Sequence, residues 1–400
     1  MRVVLGIDVS KSKSNFAVVT ETGELLEEGK FSNSQEGFEK LTELIIHYQG
    51  CEVIFEATGV YSRRMCFYFD RQHIKYVMIN PLKAKRLMDE LRPTKNDRID
   101  AKKLAILQFK KPQPYAAKMA RIYSELQHMQ RYYQQIVADQ IKMGNRLESD
   151  IQETFPEVEN LYEDSKGINY WLLVNCFPHA EILKRLSLEE AIHRFENETG
   201  LVANKTRIRK IGQMMELADQ SVISVDDTSF VCEKIVYETS ELIRLEKLKR
   251  EVIKKMVSLA APLKEFDILK SIPGFGDTTV VQLIAELGDL RRFSTPAKVN
   301  AFVGIDLQFN DSGKRKTSGL ITKRGNSYAR SILYRALLNV IAVDRKSEKQ
   351  TSVSRWYQRR KQLLIPANKA PKALVIGGMD RLLRMIHHMV MHEEMFQIQN

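Results

Sequence analysis

Cysteine is scarce in this 400-residue chain. The four present, Cys51, Cys66, Cys176 and Cys232, are scattered, with neither paired metal-type spacing nor the density of a disulfide framework. That excludes a disulfide-stapled module and a cysteine-built metal centre, and leaves the thiols to pack as small apolar groups. Long apolar runs are also missing: no stretch offers the roughly 18 unbroken residues of a membrane span. The opening Met1-Arg2-Val3-Val4-Leu5-Gly6-Ile7-Asp8 places a carboxylate where a secretory leader would still be apolar, so a cytoplasmic protein with no membrane partner is expected. There is no internal repeat and no low-complexity tract. What is present is ordinary globular composition, 44% hydrophobic, over a length that calls for two or three separately packed units.

The net charge of +12 is not spread evenly. Between Asn310 and Lys372 stand 16 Lys and Arg against three acids, Asp311, Asp344 and Glu348. The rest of the chain is close to neutral. An imbalance this concentrated points to a polyanionic partner, nucleic acid first.

Periodicity divides the chain into three. In residues 1–117, short strand patterns at Val3–Val9, Asn15–Thr20 and Leu25–Phe31 precede a helix capped by Ser34. Strand Glu52–Phe55, helix Ser62–Arg71, strand Lys75–Asn80 and a basic helix after Pro81 follow. The order βββαβαβ-α implies a mixed sheet with helices on its faces. Residues 118–262 read almost wholly as helix. Leu242, Leu245, Leu248, Val252, Met256 and Leu259 recur at spacings of three and four, the stripe of a coiled coil or of a helix packed within one subunit. A connecting loop is expected within Asn204–Asp227. Residues 263–400 read as mainly helical and basic. They open on Ile272-Pro273-Gly274-Phe275-Gly276, a helix-hairpin-helix-like turn in which Gly274 and Gly276 can expose backbone N–H groups to phosphate. The fold class is therefore α/β plus α.

Four acids carry the chemistry. Asp8 ends the first strand, Glu56 follows a parallel neighbour, and Asp97 and Asp100 share one face at the start of a helix. Each alone is an ordinary turn or cap residue. Together they make an all-oxygen donor set suited to Mg²⁺ or Mn²⁺, and carboxylates so placed repel one another unless a cation neutralises them. Two such ions about 3.5–4 Å apart stabilise the attacking and leaving oxygens of a phosphoryl transfer.

Gly6-Ile7-Asp8-Val9-Ser10-Lys11, Glu56-Ala57-Thr58-Gly59-Val60-Tyr61 and Lys95-Asn96-Asp97-Arg98-Ile99-Asp100-Ala101 closely resemble the DEDD transposases of insertion-sequence family one hundred and ten. So do Ile272-Pro273-Gly274-Phe275-Gly276, Ala301-Phe302-Val303-Gly304, Asp311-Ser312-Gly313-Lys314 and Ile321-Thr322-Lys323-Arg324-Gly325-Asn326, all in the family's order. The middle region matches only in character. The resemblance implies a ribonuclease H-like, RuvC-like N-terminal domain holding divalent metal on the four acids. It also implies a C-terminal transposase domain with a nucleophilic serine at Ser312. Donor and target DNA, a structured guide RNA encoded by the element, a homodimer or homotetramer, and a bacterial or archaeal, nucleoid-associated setting follow from the same resemblance. Relatives of the Piv invertase type invert a DNA segment instead.

The surroundings of Ser312 suit that role: Gly313 frees the backbone, and Lys314, Arg315 and Lys316 can hold a scissile phosphate. No histidine neighbours the serine, so activation is expected from the metal-carboxylate site of the same or another subunit. Lys323, Arg324 and Arg330 are read as phosphate contacts or as residues of a helix start. Trp356 and Tyr357 among arginines read as helix packing ahead of base stacking. His388 and His392 mimic a metal spacing without a third ligand. Two other readings compete: a metal-dependent junction nuclease that needs no serine, and a nucleic-acid-binding scaffold without catalysis.

Overall fold

The computed structural model describes residues 2–89, 97–115, 121–162, 167–312, 315–347, 350–364 and 371–397. The chain divides into two units, residues 1–118 and 119–400. Among the described residues, no helix is long and apolar enough to cross a membrane.

The first unit is a five-stranded sheet between two helical layers. Its strands are β1 (Val3–Asp8), β2 (Lys13–Thr20), β3 (Leu25–Ser32), β4 (Glu52–Glu56) and β5 (Tyr76–Ile79), in spatial order β3-β2-β1-β4-β5. The first three pair antiparallel, while β1, β4 and β5 run parallel. Helices α1 (Gln35–His47) and α2 (Val60–Arg71) cover one face, and α3 (Pro81–Asp89) and α4 (Asp97–Lys110) the other. The strands divide their side chains by the two-residue period of the pleat. Leu5, Ile7, Val53 and Phe55 point into the core under α1 and α2, whereas Val4, Ile54, Val77 and Ile79 meet Ala101, Leu104 and Ala105 of α4. On β1 and β4 both faces are buried, which is why their centres carry no polar side chain, whereas the edge strand β3 is largely exposed and carries Glu27, Glu28 and Lys30. Ser34 caps α1, its hydroxyl accepting from the Gly37 N–H.

The second unit is built on two long helices, α5 (Arg121–Thr154) and α10 (Phe230–Ala260). They run antiparallel: Gln140 meets Glu246 and Lys249, and Asp150 meets Lys234 at 2.8 Å. One end of the pair carries a helical cluster of α6 (Ile168–Cys176), α7 (Ala180–Lys184), α8 (Leu188–Thr199) and α9 (Lys205–Asp219). The other end joins the core of α11 (Lys264–Lys270), α12 (Asp277–Leu287), α13 (Pro296–Val303), α14 (Ser327–Asp344), α15 (Ser352–Leu364) and α16 (Pro371–His392). Leu242, Leu245, Val252 and Met256 are buried inside the chain, so this stripe is occupied by intramolecular packing.

The loop expected within Asn204–Asp227 occupies the last part of that segment, 220–227. Its first part is the helix α9, which Asn204 caps by accepting from the Arg207 N–H, and Ile211, Met214 and Ala218 are buried beneath its basic face. The C-terminal region also contains a hairpin, β6 (Leu307–Ser312) against β7 (Arg315–Ile321). Trp356 packs as expected: its ring fills the space beside Gly377 of α16, with the Arg381 guanidinium 4.7 Å from its centroid. The four cysteines are free thiols, with Cys176 and Cys232 buried.

Candidate active site

Asp8 and Glu56 end neighbouring parallel strands in matching register, one residue beyond the Ile7–Phe55 pair. Adjacent strands lie roughly 4.8 Å apart, so the two carboxylates start side by side. Each stands two residues beyond a position that faces α4: Gly6 before Asp8, and Ile54 before Glu56. Both therefore share the α4 face. Gly6 decides how closely that helix comes, since a Cβ there would run into the Ala101 carbonyl and lie 2.8 Å from the Ala105 nitrogen. The contact seats the first turn of α4 near the strand ends, where the charge of Asp100 reaches Glu56. Asp100 also lies 3.8 Å from Lys103. The Asp97 side chain lies outside the described residues.

The electrostatics agree with this layout. The Glu56 carboxyl is pushed above its ordinary range, first by burial and then by the charges of Asp8 and Asp100. Among the described residues, no three His, Cys, Asp or Glu side chains converge closely enough to hold one ion. The loop after Asp8 is pinned: the Asn33 amide donates to the Ser10 carbonyl at 2.6 Å, and the Ser14 hydroxyl donates to Asn33 Oδ1 at 2.8 Å. Beyond Glu56, the Ala57 N–H donates to the Ile79 carbonyl, and Gly59, at φ 60°, turns the chain into α2.

Sequence reading missed Asn15. It lies directly across from Asp8 on β2, on the same face, and its Oδ1 is buried without a hydrogen-bond partner among the described residues. Its position opposite the acid, once β1 and β2 are aligned as a hairpin, is the signal that was available. An orphaned oxygen beside mutually repelling carboxylates fits a hard divalent cation.

Ser312 is the last residue of β6, paired in register with Arg315 across the hairpin turn. Lys314 lies outside the described residues, as do the side chains of Ser312, Arg315 and Lys316. The acids belong to the first unit and the serine hairpin to the second. The hairpin base is held firmly. The Thr322 N–H donates to the Asp306 carbonyl, Lys323 N–H to that of Gly304, and Asn326 N–H to that of Phe302 at 2.7 Å. Gly304 and Gly325 meet backbone to backbone, leaving no room for a Cβ on either. Lys323 and Arg324 are exposed, and Lys323 adopts a left-handed φ of 52°. Arg330 is engaged elsewhere, donating to the Val303 carbonyl at 2.8 Å.

A second residue invisible in the sequence is Glu286, which is 1% exposed. Its Oε2 accepts from Arg131 at 2.8 Å and from Asn326 at 2.7 Å, and burial raises its carboxyl. Asn326 in turn caps α14, its Oδ1 accepting from the N–H groups of Tyr328 and Ala329. Gly274, at φ 85°, faces the Asn339–Val340 backbone of α14 across a gap too small for a side chain, while Gly276 is exposed at the start of α12. His388 and His392 are in contact with ring centroids 4.4 Å apart and planes tilted by 49°.

Two family models match the chain. One, described as a transposase of the DEDD type of IS110, covers residues 5–156 and so the acid-bearing sheet. The other, described as the transposase IS116/IS110/IS902 family, covers residues 266–352 and so the serine hairpin and the helices around it. Among curated proteins, the transposase for insertion sequence element IS1111A of Coxiella burnetii is 28% identical over 113 residues. That stretch is 27% of this chain and 31% of the relative, so the match spans about a third of the relative's length. With both of its distinctive segments matched in the family's order, the chain belongs to the IS110 family of insertion-sequence transposases.

Proposed function

We propose that the chain is a DNA transposase of an insertion sequence, cutting and rejoining DNA through a phosphoserine intermediate. The carrying observation is the pairing of Asp8 with Glu56 at adjacent parallel strand ends, under the first turn of α4, in a chain matched by transposase models. In this reading the first unit is ribonuclease H-like and RuvC-like. The chain works as three parts: 1–117 with the acids, 118–262 as a helical spacer, and 263–400 with Ser312 and the basic tail.

Asp8, Glu56, Asp97 and Asp100 would hold Mg²⁺ or Mn²⁺, with Asn15 Oδ1 as a further oxygen donor. Bound there, the metal supplies Lewis-acid stabilisation of the charge that develops on the phosphate oxygens. Ser312 Oγ attacks the scissile phosphorus, loses its proton, and displaces the sugar oxygen, which leaves protonated. The phosphodiester energy is kept in the seryl ester. The hydroxyl of the incoming strand then attacks the same phosphorus and returns the serine. Lys314, Arg315 and Lys316 hold the scissile phosphate, and Lys323, Arg324 and Arg330 hold neighbouring phosphates or their own helix start. The Gly274–Gly276 turn offers backbone N–H groups to the duplex beyond. Donor and target DNA are the substrates. A structured RNA encoded by the element guides the pairing, and a homodimer or homotetramer holds the two duplexes.

The test is strand transfer on element-end DNA by wild type, Asp8→Ala and Ser312→Ala. Both variants are expected to lose transfer, and wild type alone should yield a covalent protein–DNA adduct stable to denaturant. Metal-dependent cleavage surviving in Ser312→Ala would establish the junction-nuclease reading instead, and DNA binding with no cleavage by any form would leave a scaffold. Sequencing the nucleic acid that copurifies tests guidance: a single structured RNA from the element's flank is expected, and random cellular RNA would refute it.

A further inference from the structure

Both ends of the β6–β7 hairpin pass through one knot of backbone contacts. Phe302 stands before β6 and Asn326 after β7, and the Asn326 N–H donates to the Phe302 carbonyl at 2.7 Å. The knot is tied to α5 and α12 through one buried oxygen. Glu286 Oε2 of α12 accepts from the Asn326 amide at 2.7 Å and from the Arg131 guanidinium of α5 at 2.8 Å. Asn326 Nδ2 also reaches the Glu286 carbonyl at 3.2 Å. The same guanidinium lies 3.8 Å from the ring centroid of Tyr328, in the first turn of α14. Three helices therefore meet at the hairpin root through Arg131, Glu286 and Asn326. A buried ion pair adds little stability over apolar side chains of equal volume, because desolvation offsets the attraction. Its bonds are directional, however, and fix angles that apolar contacts leave loose.

We propose, on the phosphoserine reading of this chain, that Arg131 and Glu286 are positioning residues for Ser312, holding the hairpin root at one angle to α5. Ser312 ends β6, about 17 Å from Leu307 at roughly 3.3 Å per residue. Over that arm, a tilt of about 5° at the root moves the serine by about 1.5 Å. A displacement of that size in a reacting group can slow its reaction about a hundredfold. Neither residue has to touch DNA, because both act through Asn326.

The test follows seryl–DNA adduct formation by the full-length protein over a range of element-end DNA concentrations. Asn326→Asp keeps the helix cap, since a carboxylate still accepts from the Tyr328 and Ala329 N–H groups, but it sets an acid against Glu286 in place of a donor. Its rate at saturating DNA should fall roughly tenfold or more, with half-saturation unchanged. Adding Glu286→Gln reverses the bond, an amide now donating to a carboxylate, and should recover most of the rate. Arg131→Met keeps a long side chain without a donor and should slow the reaction similarly. Combined with Asn326→Asp it should cost little more, because both losses run through one oxygen. A full-rate Asn326→Asp, a Glu286→Gln, Asn326→Asp pair that stays slow, additive losses, or a loss of DNA affinity in place of rate would each overturn the proposal. So would variants that lower Tm while the folded fraction reacts at the wild-type rate. Nitroxide amino acids at Asp139 of α5 and at Ser312, in protein diluted with unlabelled chain, give a readout that needs no chemistry. Their distance distribution should be narrow in the otherwise wild-type chain, broad with Asn326→Asp and narrow again with both changes. A wild type that forms no adduct defeats the phosphoserine reading, and these distances still decide whether the three residues set the hairpin. Identical distributions in all three forms would refute it.

Discussion

Gly6 controls the distance between the sheet and the helix that carries two of the four acids. Gly6→Val would drive a branched side chain into the Ala101 carbonyl and the Ala105 nitrogen, backbone atoms that cannot swing aside. Overpacking of this kind costs about 1–3 kcal/mol. The larger effect should fall on metal affinity, because α4 can relieve the clash only by carrying Asp97 and Asp100 away from Asp8. We expect a lower Tm together with a Mn²⁺ affinity at least tenfold weaker by electron paramagnetic resonance; a destabilised variant that still binds Mn²⁺ normally would dissociate helix seating from the site. Asn15 allows a gentler probe. Asn15→Ala removes an orphaned buried oxygen, so stability should hold while Mn²⁺ affinity falls roughly tenfold, the lower end for a residue supporting a metal site. Unchanged affinity would exclude Asn15 as a donor. Asp8 and Glu56 were legible because strand-end acids in a βαβ order converge by topology. Asn15 was not, because its place depends on the exact register of a hairpin.

Among the elements, α5 and α10 hold a buried acid pair with a definite pH signature. Glu238 of α10 is pushed up to about 7, first by burial and then by the charge of Asp150 on α5, with Lys234 pulling the other way. The folded state thus binds this proton more tightly than the unfolded state does. Stability from this group is present at low pH and falls as pH rises from the ordinary carboxylate range through about 7. Glu238→Gln fixes the neutral form, so urea unfolding should show the variant more stable than wild type at pH 8 by about 1 kcal/mol after solvent screening, and nearly equal to it at pH 5. Equal stability at both values would place the charge cost elsewhere. Glu286 makes the complementary case. Glu286→Leu strips Asn326 and Arg131 of their shared acceptor, at a cost of about 2 kcal/mol, and should speed amide exchange across 304–326 while Glu286→Gln largely preserves protection. Contacts such as Arg131–Glu286 link residues 155 apart and have no local sequence signal. The β6–β7 hairpin was missed for another reason: its residues are dominated by polar and charged types, and strand alternation is faint beneath them.

At the scale of the whole chain, the two units carry different halves of one proposed reaction, and each has its own core. Residues 1–118 bury apolar layers on both sheet faces, a complete α/β/α sandwich, so this segment alone should unfold in a single cooperative transition. Expressed by itself it should bind Mn²⁺ yet form no covalent adduct, since the serine lies elsewhere. Residues 119–400 contain the strongly basic segment 310–372 and should bind DNA, with affinity falling by about 0.9 log unit per contacted phosphate for each tenfold rise in salt. If the seryl ester forms only when metal-bound carboxylates stabilise charge at the phosphate, mixing the two separate pieces should restore a trace of adduct that neither gives alone. The restored amount should rise with the concentration of the N-terminal piece, because the link that supplied a high local concentration is gone. Adduct formed by 119–400 without its partner and without metal would mean that Ser312 is activated inside its own unit, and the acids would then need a different task.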